Sequence, residues 1–159
     1  MPSKEFIKTD ASMLPVGKSI SMIARGFSTY VNHNIADLDI NTTQLMLLYE
    51  ISRQSDINQE RISKGCNINK GAVARSIKKL EDKGFVIRQI DENNRRQNKV
   101  SLNPKGEETL KKAKIILKKW EDEVILEKGY IEKELLQKIL KEIAIKTMEL
   151  NERECKNGQ

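Results

Sequence analysis

A short polar turn at residues 69–72 and the arginine that follows it have the chemistry of an anion-binding helix start. The turn reads Asn69-Lys70-Gly71-Ala72, and Arg75 lies about one and a half turns further along. Backbone N–H groups in the first turn of a helix lack partners within the helix, and the helix dipole adds positive charge there. Gly71 and Ala72 allow close approach of a phosphate or a base edge, and arginine can contact guanine bidentately. These residues predict contact with nucleic acid.

Further cations lie along the chain from this turn. Arg95 and Arg96 belong to the polar stretch 91–98, and arginines on a flexible polar tip suit the negative potential of a narrow minor groove. Three lysines follow Arg75 on the same helix: Lys78, Lys79 and Lys83. They either contact phosphates or merely keep the surface soluble, and we include Lys79 among the predicted DNA contacts.

Positive charge is concentrated in the middle of the chain. The 159 residues carry a formal net charge of +6. Residues 61–105 hold twelve basic and four acidic side chains, so the two ends are close to neutral. A basic segment between balanced flanks is typical of a polyanion-binding surface, although a lysine-rich solvated surface would have the same composition.

The sequence gives little support for metal binding, catalysis or membrane insertion. Two cysteines and one histidine cannot provide the four ligands of a zinc site, and the carboxylates of residues 105–150 stand beside lysines at helical spacing, as in surface ion pairs. With no phosphate-cradling glycine loop and no activated nucleophile, we predict neither an enzyme nor a cofactor. No apolar run approaches the ~18 residues of a membrane span and no export signal is present, so we expect a cytoplasmic protein without membrane contact.

The elements that position these residues can be read from periodicity and capping. Apolar residues recur every three or four positions from Leu14 to Leu38, which predicts a long amphipathic helix. Asn41 and Thr42 are good caps for a second helix, which ends near residues 53–56.

Two short helices follow, and both begin with the same capping pattern. Asn58 and Asn69 each follow an isoleucine and precede another apolar residue four positions later, which is a hydrophobic staple around an N-cap. Gly65 and Asn67 predict the tight turn between these helices, and Gly84 predicts the end of the second one.

After Gly84 the spacing of apolar residues changes from that of a helix to that of strands. Residues 85–90 and 99–102 read as two strands separated by the polar stretch 91–98, and Asn103-Pro104 opens a helix that continues through Val124. Gly129 breaks that helix, and a last helix runs from Leu135 to Leu150 before a tail that should fray.

Helix, turn, capped basic helix and hairpin is the order of a winged helix-turn-helix. In that module the second helix of the pair enters the major groove, and the hairpin reaches the adjacent backbone and minor groove. We therefore predict a mainly α fold with a small β-hairpin. The winged helix-turn-helix occupies residues 41–104, between an N-terminal helix in 1–40 and C-terminal helices in 105–159, and these outer helices serve dimerisation because their apolar stripes exceed what one small domain can cover.

The stretch INKGAVARSIKKLEDKGFVIRQIDENNRRQNKVSLNPKGEE, residues 68–108, resembles the MarR family of bacterial and archaeal transcription regulators. The resemblance implies a homodimer whose terminal helices interleave and which binds a pseudo-palindromic operator in double-stranded DNA. It further implies repression that is released by a small phenolic or otherwise lipophilic ligand.

The resemblance also assigns residues. Lys70, Gly71, Ala72 and Arg75 match the family's groove-facing turn, and Arg96 matches the arginine of its Asp-x-Arg wing motif. This chain departs from the family at Asn94, where the usual Asp would pin the arginine, and Asp91 is the alternative carboxylate.

The first helix offers a candidate ligand site, and the two cysteines are candidates for a thiol switch. Lys18, Met22 and Arg25 share one side of the first helix, and a cation beside an apolar floor suits a small aromatic acid; equally, Lys18 and Arg25 could pair with carboxylates of the last helices. Cys66 takes a position where the family has leucine, so a small buried hydrophobe is favoured over a sensor, and Cys155 belongs to the tail.

Two other functions stay open on the sequence alone. A winged helix can serve as a protein-interaction module whose basic face meets an acidic partner, which predicts weak DNA binding without sequence preference. A redox-sensing regulator acting through Cys66 or Cys155 predicts a response to oxidant that serine replacements abolish.

Overall fold

The computed structural model describes residues 3–54, 56–91, 94–126 and 132–157, with side chains for all of these except 91, 94–97, 126 and 155–157. Over these ranges the chain is mostly helical with one small antiparallel sheet, as the sequence predicts. The elements, in chain order, are α1 (Lys4–Lys8), α2 (Val16–Asn34), α3 (Thr42–Arg53), β1 (Ile57–Asn58), α4 (Gln59–Cys66), α5 (Lys70–Asp82), β2 (Val86–Asp91), β3 (Asn94–Leu102), α6 (Pro104–Glu121) and α7 (Lys133–Asn157). The chain divides into two compact units, Met1–Ile116 and Leu117–Gln159.

The first unit is built on an aliphatic core. Each helix of the unit from α2 to α6, together with the sheet, contributes fully or nearly fully buried side chains, among them Val31, Leu48, Ile62, Ile77 and Val100. Because burial of such side chains provides most of the favourable free energy of folding, this core holds α5 and the hairpin on one scaffold.

Asparagine caps begin the helices at the predicted places. Asn58 Oδ1 accepts from Arg61 N at 2.9 Å, and Asn69 Oδ1 accepts from Ala72 N at 2.8 Å. Asn41 forms a complete capping box with Gln44, and Asn103 Oδ1 accepts from Gly106 N at 2.9 Å. These four predictions are confirmed, because a cap depends on a local sequence that can be read without the tertiary structure.

The sheet has one strand more than the sequence indicates. β3 lies in the centre, with β2 and the two-residue β1 antiparallel on either side of it. The periodicity of residues 57–58 is too short to reveal a strand, and β1 forms because Ile57 pairs with Val100 of a distant segment.

The hairpin is longer than predicted. The strands reach Asp91 and begin again at Asn94, so the predicted polar tip of residues 91–98 is wrong, and only residues 92–93 lie between the strands. Ile90 pairs with Asn98 whereas Asp91 pairs with Asn94, so the register is broken there and 95–97 lie within the break. A strand can absorb polar residues when its edge faces solvent, which weakens a prediction made from composition.

Gly65 does not lie in the turn between α4 and α5. It belongs to the last turn of α4, where an added Cβ would collide with the Glu50 carboxylate of α3. The turn is made by Asn67, as predicted, and its φ of 50° is left-handed. Two local pieces near the N-terminus, α1 and the 3-10 turn Ala11–Met13, are further additions to the predicted pattern.

The second unit contains the end of α6, a π-helical turn at Asp122–Leu126 and α7. Lys133 Nζ at the start of α7 lies 2.9 Å from Glu121 Oε1 at the end of α6. The predicted break at Gly129 lies outside the described residues. The predicted end of the last helix near Leu150 is too early, because α7 continues to Asn157.

Candidate nucleic-acid interface

The first turn of α5 is exposed and keeps backbone donors available. Asn69, Lys70 and Gly71 are exposed, and Ala72 is half-buried. The cap takes up the Ala72 N–H, while the N–H groups of Lys70 and Gly71 have no hydrogen-bond partner among the described residues. These two donors lie at the positive end of the helix dipole, where an anion is stabilised.

One face of α5 presents a row of residues to solvent. Gly71, Arg75 and Lys79 follow each other at intervals of four and are exposed, whereas Val73 and Ile77 point into the core. An added Cβ on Gly71 would lie 3.6 Å from Arg75 Nη1, so the guanidinium lies close to the glycine. No ion pair within the described part of the chain involves Arg75 or Lys79, so both cations are available to an anionic partner.

The cations Lys70 and Lys78 of α5 and its C-cap residue Lys83 have carboxylate partners. Lys70 Nζ lies 3.2 Å from Glu60 Oε1 of α4, and this contact together with Lys64 holds the pKa of Glu60 below its usual value. Lys78 Nζ lies 2.8 Å from Asp82 Oδ1, which raises the pKa of Lys78. Lys83 Nζ donates to the Asp39 carboxylate and to its backbone carbonyl, both at 2.7 Å.

Arg95 and Arg96 lie in β3, within the register break of the hairpin, rather than on a loop. The backbone therefore places them on the same hairpin that follows α5. Asn94, which stands where the family usually has Asp, and Asp91, the alternative carboxylate, are cross-strand neighbours. The side chains of all four residues lie outside the described part of the chain.

The residues predicted to bind a ligand lie on α2. Lys18 and Arg25 are exposed and Met22 is half-buried, and no ion pair among the described residues of the first unit involves either cation. They do not line the cleft described next, which lies in the first unit. That cleft, of about 250 Å³, is lined by Ile51, Ser52, Ser101, Leu102, Glu107, Leu110, Lys111 and Lys114.

The thiol of Cys66 is half-buried, and its Sγ lies 3.8 Å from the Met46 carbonyl. Burial and the nearby Glu50 carboxylate raise the pKa of the Cys66 thiol. A raised pKa reduces the thiolate fraction, which is the reactive form, so the surroundings of Cys66 disfavour a sensor role. The side chain of Cys155 lies outside the described residues.

Some residues of this interface escaped sequence analysis. Glu60, which holds Lys70, lies ten residues earlier, and Arg88, which pairs with Glu81, occupies an inward position of β2. Arg88 lies two residues after Val86 and therefore shares the inward face of the strand. A cation on a face that is otherwise apolar was the sequence signal that Arg88 has a partner. Tyr49 is exposed on α3, and Lys114 Nζ lies 5.6 Å from the centroid of its ring.

Within the described ranges, no cluster of His, Cys, Asp and Glu could hold a metal ion, and no helix is long and apolar enough to cross a membrane.

The comparisons with known proteins all give transcription regulators. The MarR family model matches residues 40–97. The chain is 34% identical over 89 residues to the uncharacterized HTH-type transcriptional regulator YybA of Bacillus subtilis (strain 168), a match that covers 56% of this chain and 59% of that relative. It is 32% identical to a MarR transcriptional regulator from Methanosarcina mazei Go1, with a TM-score of 0.74 over 92% of this chain and 99% of that one.

A third similarity concerns the fold alone. A mutant of E. coli MarR, solved in complex with operator DNA, is 23% identical, with a TM-score of 0.73 over 85% of this chain and 99% of that one. The family and the fold are those of transcription regulators rather than enzymes. The winged helix-turn-helix around α4 and α5, together with the relative from Methanosarcina mazei, shows that this chain belongs to the MarR family of DNA-binding transcription regulators.

Proposed function

We propose that the chain acts as a homodimeric, sequence-specific repressor that binds a pseudo-palindromic operator and is released by a small ligand. The observation that carries this proposal is the exposed row of Gly71, Arg75 and Lys79 on α5, next to the N–H groups of Lys70 and Gly71, which have no partner among the described residues. Arg75 and Lys79 have no carboxylate partner among the described residues, and such cations are suited to a phosphate backbone and to base edges.

The predicted contacts divide between two elements. The first turn of α5, Asn69 to Ala72, together with Arg75 and Lys79, enters the major groove. Arg95 and Arg96 reach the adjacent groove from the hairpin. In a dimer the two copies of α5 occupy successive major grooves about 34–36 Å apart, so the operator has two half-sites one helical turn apart.

Dimerisation is supported by apolar surface on the outer helices. α7 exposes Ile139 and Ile143, and α2 exposes Ile20 and Ile23. Exposed apolar stripes of this extent are characteristic of helices that pack against another chain. We therefore assign the helices of residues 1–40 and 105–159 to the dimer interface.

An effector site is the third part of the proposal. Lys18, Met22 and Arg25 are the predicted contacts for a small aromatic or lipophilic acid. The cleft beside α6 is the alternative site, because Lys111 and Lys114 lie in its lining together with Ile51, Leu102 and Leu110, although Glu107 lines it as well. Thermal shift measurements with small phenolic acids test both: loss of the shift in Arg25→Ala assigns the ligand to α2, and loss in Lys111→Ala assigns it to the cleft.

Selection of binding sites from random duplex DNA at about 150 mM salt tests the function itself. We expect an enriched inverted repeat with half-sites one helical turn apart. An absence of enrichment would contradict the proposal and favour an acidic protein partner.

Replacement of single arginines tests the assigned contacts on the selected site. Arg75→Ala and Arg96→Ala should each weaken binding by about 1–3 kcal/mol, as for a specific arginine contact. Lys78→Ala is the matched control on α5, because Lys78 is already paired with Asp82, and it should change affinity far less. Equal losses for Arg75→Ala and Lys78→Ala would contradict a specific role for Arg75.

A further inference from the structure

A partly buried ion pair joins α5 to the hairpin. Arg88 Nη2 in β2 donates to Glu81 Oε2 in the last turn of α5 at 2.7 Å, and the two side chains are 24% and 30% exposed. Arg88 Nε is buried without a hydrogen-bond partner among the described residues. Glu81 is therefore the group that holds the guanidinium in place, through a charge-assisted hydrogen bond.

Burial along the inward face of β2 shows how far the hairpin stays packed against α5. Val86, Arg88 and Ile90 lie on this face because side chains alternate along a strand. Val86 is 3% exposed, whereas Ile90 is 67% exposed, and the register breaks directly after Ile90. Arg88 is thus the outermost residue of this face that α5 holds. Beyond it extends the outer hairpin, which we define as residues 89–91 and 94–98.

An isolated two-stranded ribbon has little stability of its own, so its direction depends on the point where it is anchored. The turn between α5 and β2 fixes the base of the hairpin through Gly84, whose φ is 71°. The pairing of β3 with β1 at Ile57 and Asn58 holds the other strand of the hairpin. The ion pair adds a side-chain contact between β2 and α5, so it constrains the angle between these two elements.

We infer that the Arg88–Glu81 ion pair sets the angle between α5 and the outer hairpin, and thereby determines how strongly Arg95 and Arg96 contribute to DNA binding. This inference rests on the proposed function, because it concerns the alignment of two elements that contact DNA. It makes Arg88 and Glu81 positioning residues, which act through other side chains rather than on the DNA itself.

The angle can be measured without DNA. We compare the full-length wild type with Glu81→Gln and Arg88→Gln by residual dipolar couplings of backbone amides, after confirming folding by circular dichroism. Lys78→Gln is the matched control, because Lys78 Nζ lies 3.9 Å from the same carboxylate oxygen but stays within α5. We expect the couplings of the outer hairpin to change relative to α5 in the two test variants and not in the control. Unchanged couplings in Glu81→Gln would overturn the inference.

A double-mutant cycle measures the consequence for binding. Arg96→Ala should lower affinity for the selected site about tenfold in the wild-type and Lys78→Gln backgrounds, and less than about threefold in Glu81→Gln. The cost of Arg75→Ala should be the same in all three. An equal cost of Arg96→Ala in every background would overturn the link to binding. If the wild type binds no specific duplex, the proposed function fails, while the dipolar couplings still decide the angle.

Discussion

At the scale of single residues, the partners of each cation distinguish the side chains of α5. Arg75 and Lys79 point to solvent and have no carboxylate partner in the part of the chain that the structure describes, whereas Lys70 and Lys83 are held by Glu60 and Asp39. These positions look equivalent in the sequence, since all carry a positive charge on one basic helix. The difference arises from α4 and from the turn after α2, which are distant in sequence from the lysines that they hold.

Glu60→Gln should strengthen DNA binding, because it releases Lys70 from its ion pair. Any phosphate contact by Lys70 has to compete with the Glu60 carboxylate in the wild type. A single exposed pair is weak, so we expect a gain of roughly twofold to fivefold at low salt, which shrinks as salt is added. Fluorescence anisotropy on the selected site measures it. Glu108→Gln, which breaks the exposed pair with Lys112 on α6, is the control and should leave affinity unchanged. A weaker complex with Glu60→Gln would refute the competition.

The thiol of Cys66 should react slowly at neutral pH. Its folded-state pKa is raised by burial and by Glu50, so at every pH below that pKa the thiolate fraction is smaller than for a free cysteine. In a Cys155→Ser variant, iodoacetamide alkylation at pH 7.5 should be slower than for free cysteine, and its pH midpoint should be higher. Alkylation faster than for free cysteine would restore the redox-sensing alternative.

At the scale of elements, contacts with backbone carbonyls fix the packing of α5, the hairpin and α6. Asn103 Nδ2 donates to the Gly84 carbonyl at 2.6 Å, and Lys105 Nζ donates to the Lys83 carbonyl at 2.7 Å. Gly106 lies against the Phe85 carbonyl, where an added Cβ would collide. The start of α6 is thus tied to the end of α5, and any side chain at position 106 would push them apart.

Gly106→Ala should destabilise the fold by about 1–3 kcal/mol, as for an overpacked site. Gly71→Ala is the control, because a Cβ there meets only ordinary contacts within helix α5. It should raise stability by about 0.5–1 kcal/mol, and it should weaken DNA binding because the methyl group hinders close approach. Urea denaturation followed by circular dichroism gives both values. Equal stabilities for the two variants would show that α6 can move away from Phe85.

At the scale of the whole molecule, apolar residues of α7 form one stripe. With 3.6 residues per turn, Ile139, Leu140, Ile143 and Leu150 share a face, and Ile145 lies on the opposite side. All five are exposed in the single chain. Such a stripe indicates a surface that another helix covers.

Light scattering should give twice the chain mass of 18.3 kDa. The double variant Ile139→Lys and Ile143→Lys should shift the protein to monomer, because two buried charges in an apolar interface are costly. Ile145→Lys, which adds the same charge to the opposite face, should leave the mass at that of a dimer. A folded wild-type monomer at micromolar concentration would refute the proposed homodimer.

Local signals in the sequence determined much of this protein. The asparagine caps at positions 58, 69 and 103 and the left-handed turn at Asn67 are formed by neighbouring residues, so helix starts and the helix-turn-helix could be predicted. The basic middle of the chain and the motif of residues 68–108 were likewise sufficient to indicate the family.

The tertiary structure alone decided what depends on contacts between distant segments. β1 exists because Ile57 meets Val100, and Lys70 is restrained because Glu60 lies on the preceding helix. The length of the hairpin follows from pairing between β2 and β3, which composition does not reveal. Local hydrogen bonds leave a signature in adjacent residues, whereas cross-strand pairing and ion pairs between helices require the chain to be folded before the partners can be known.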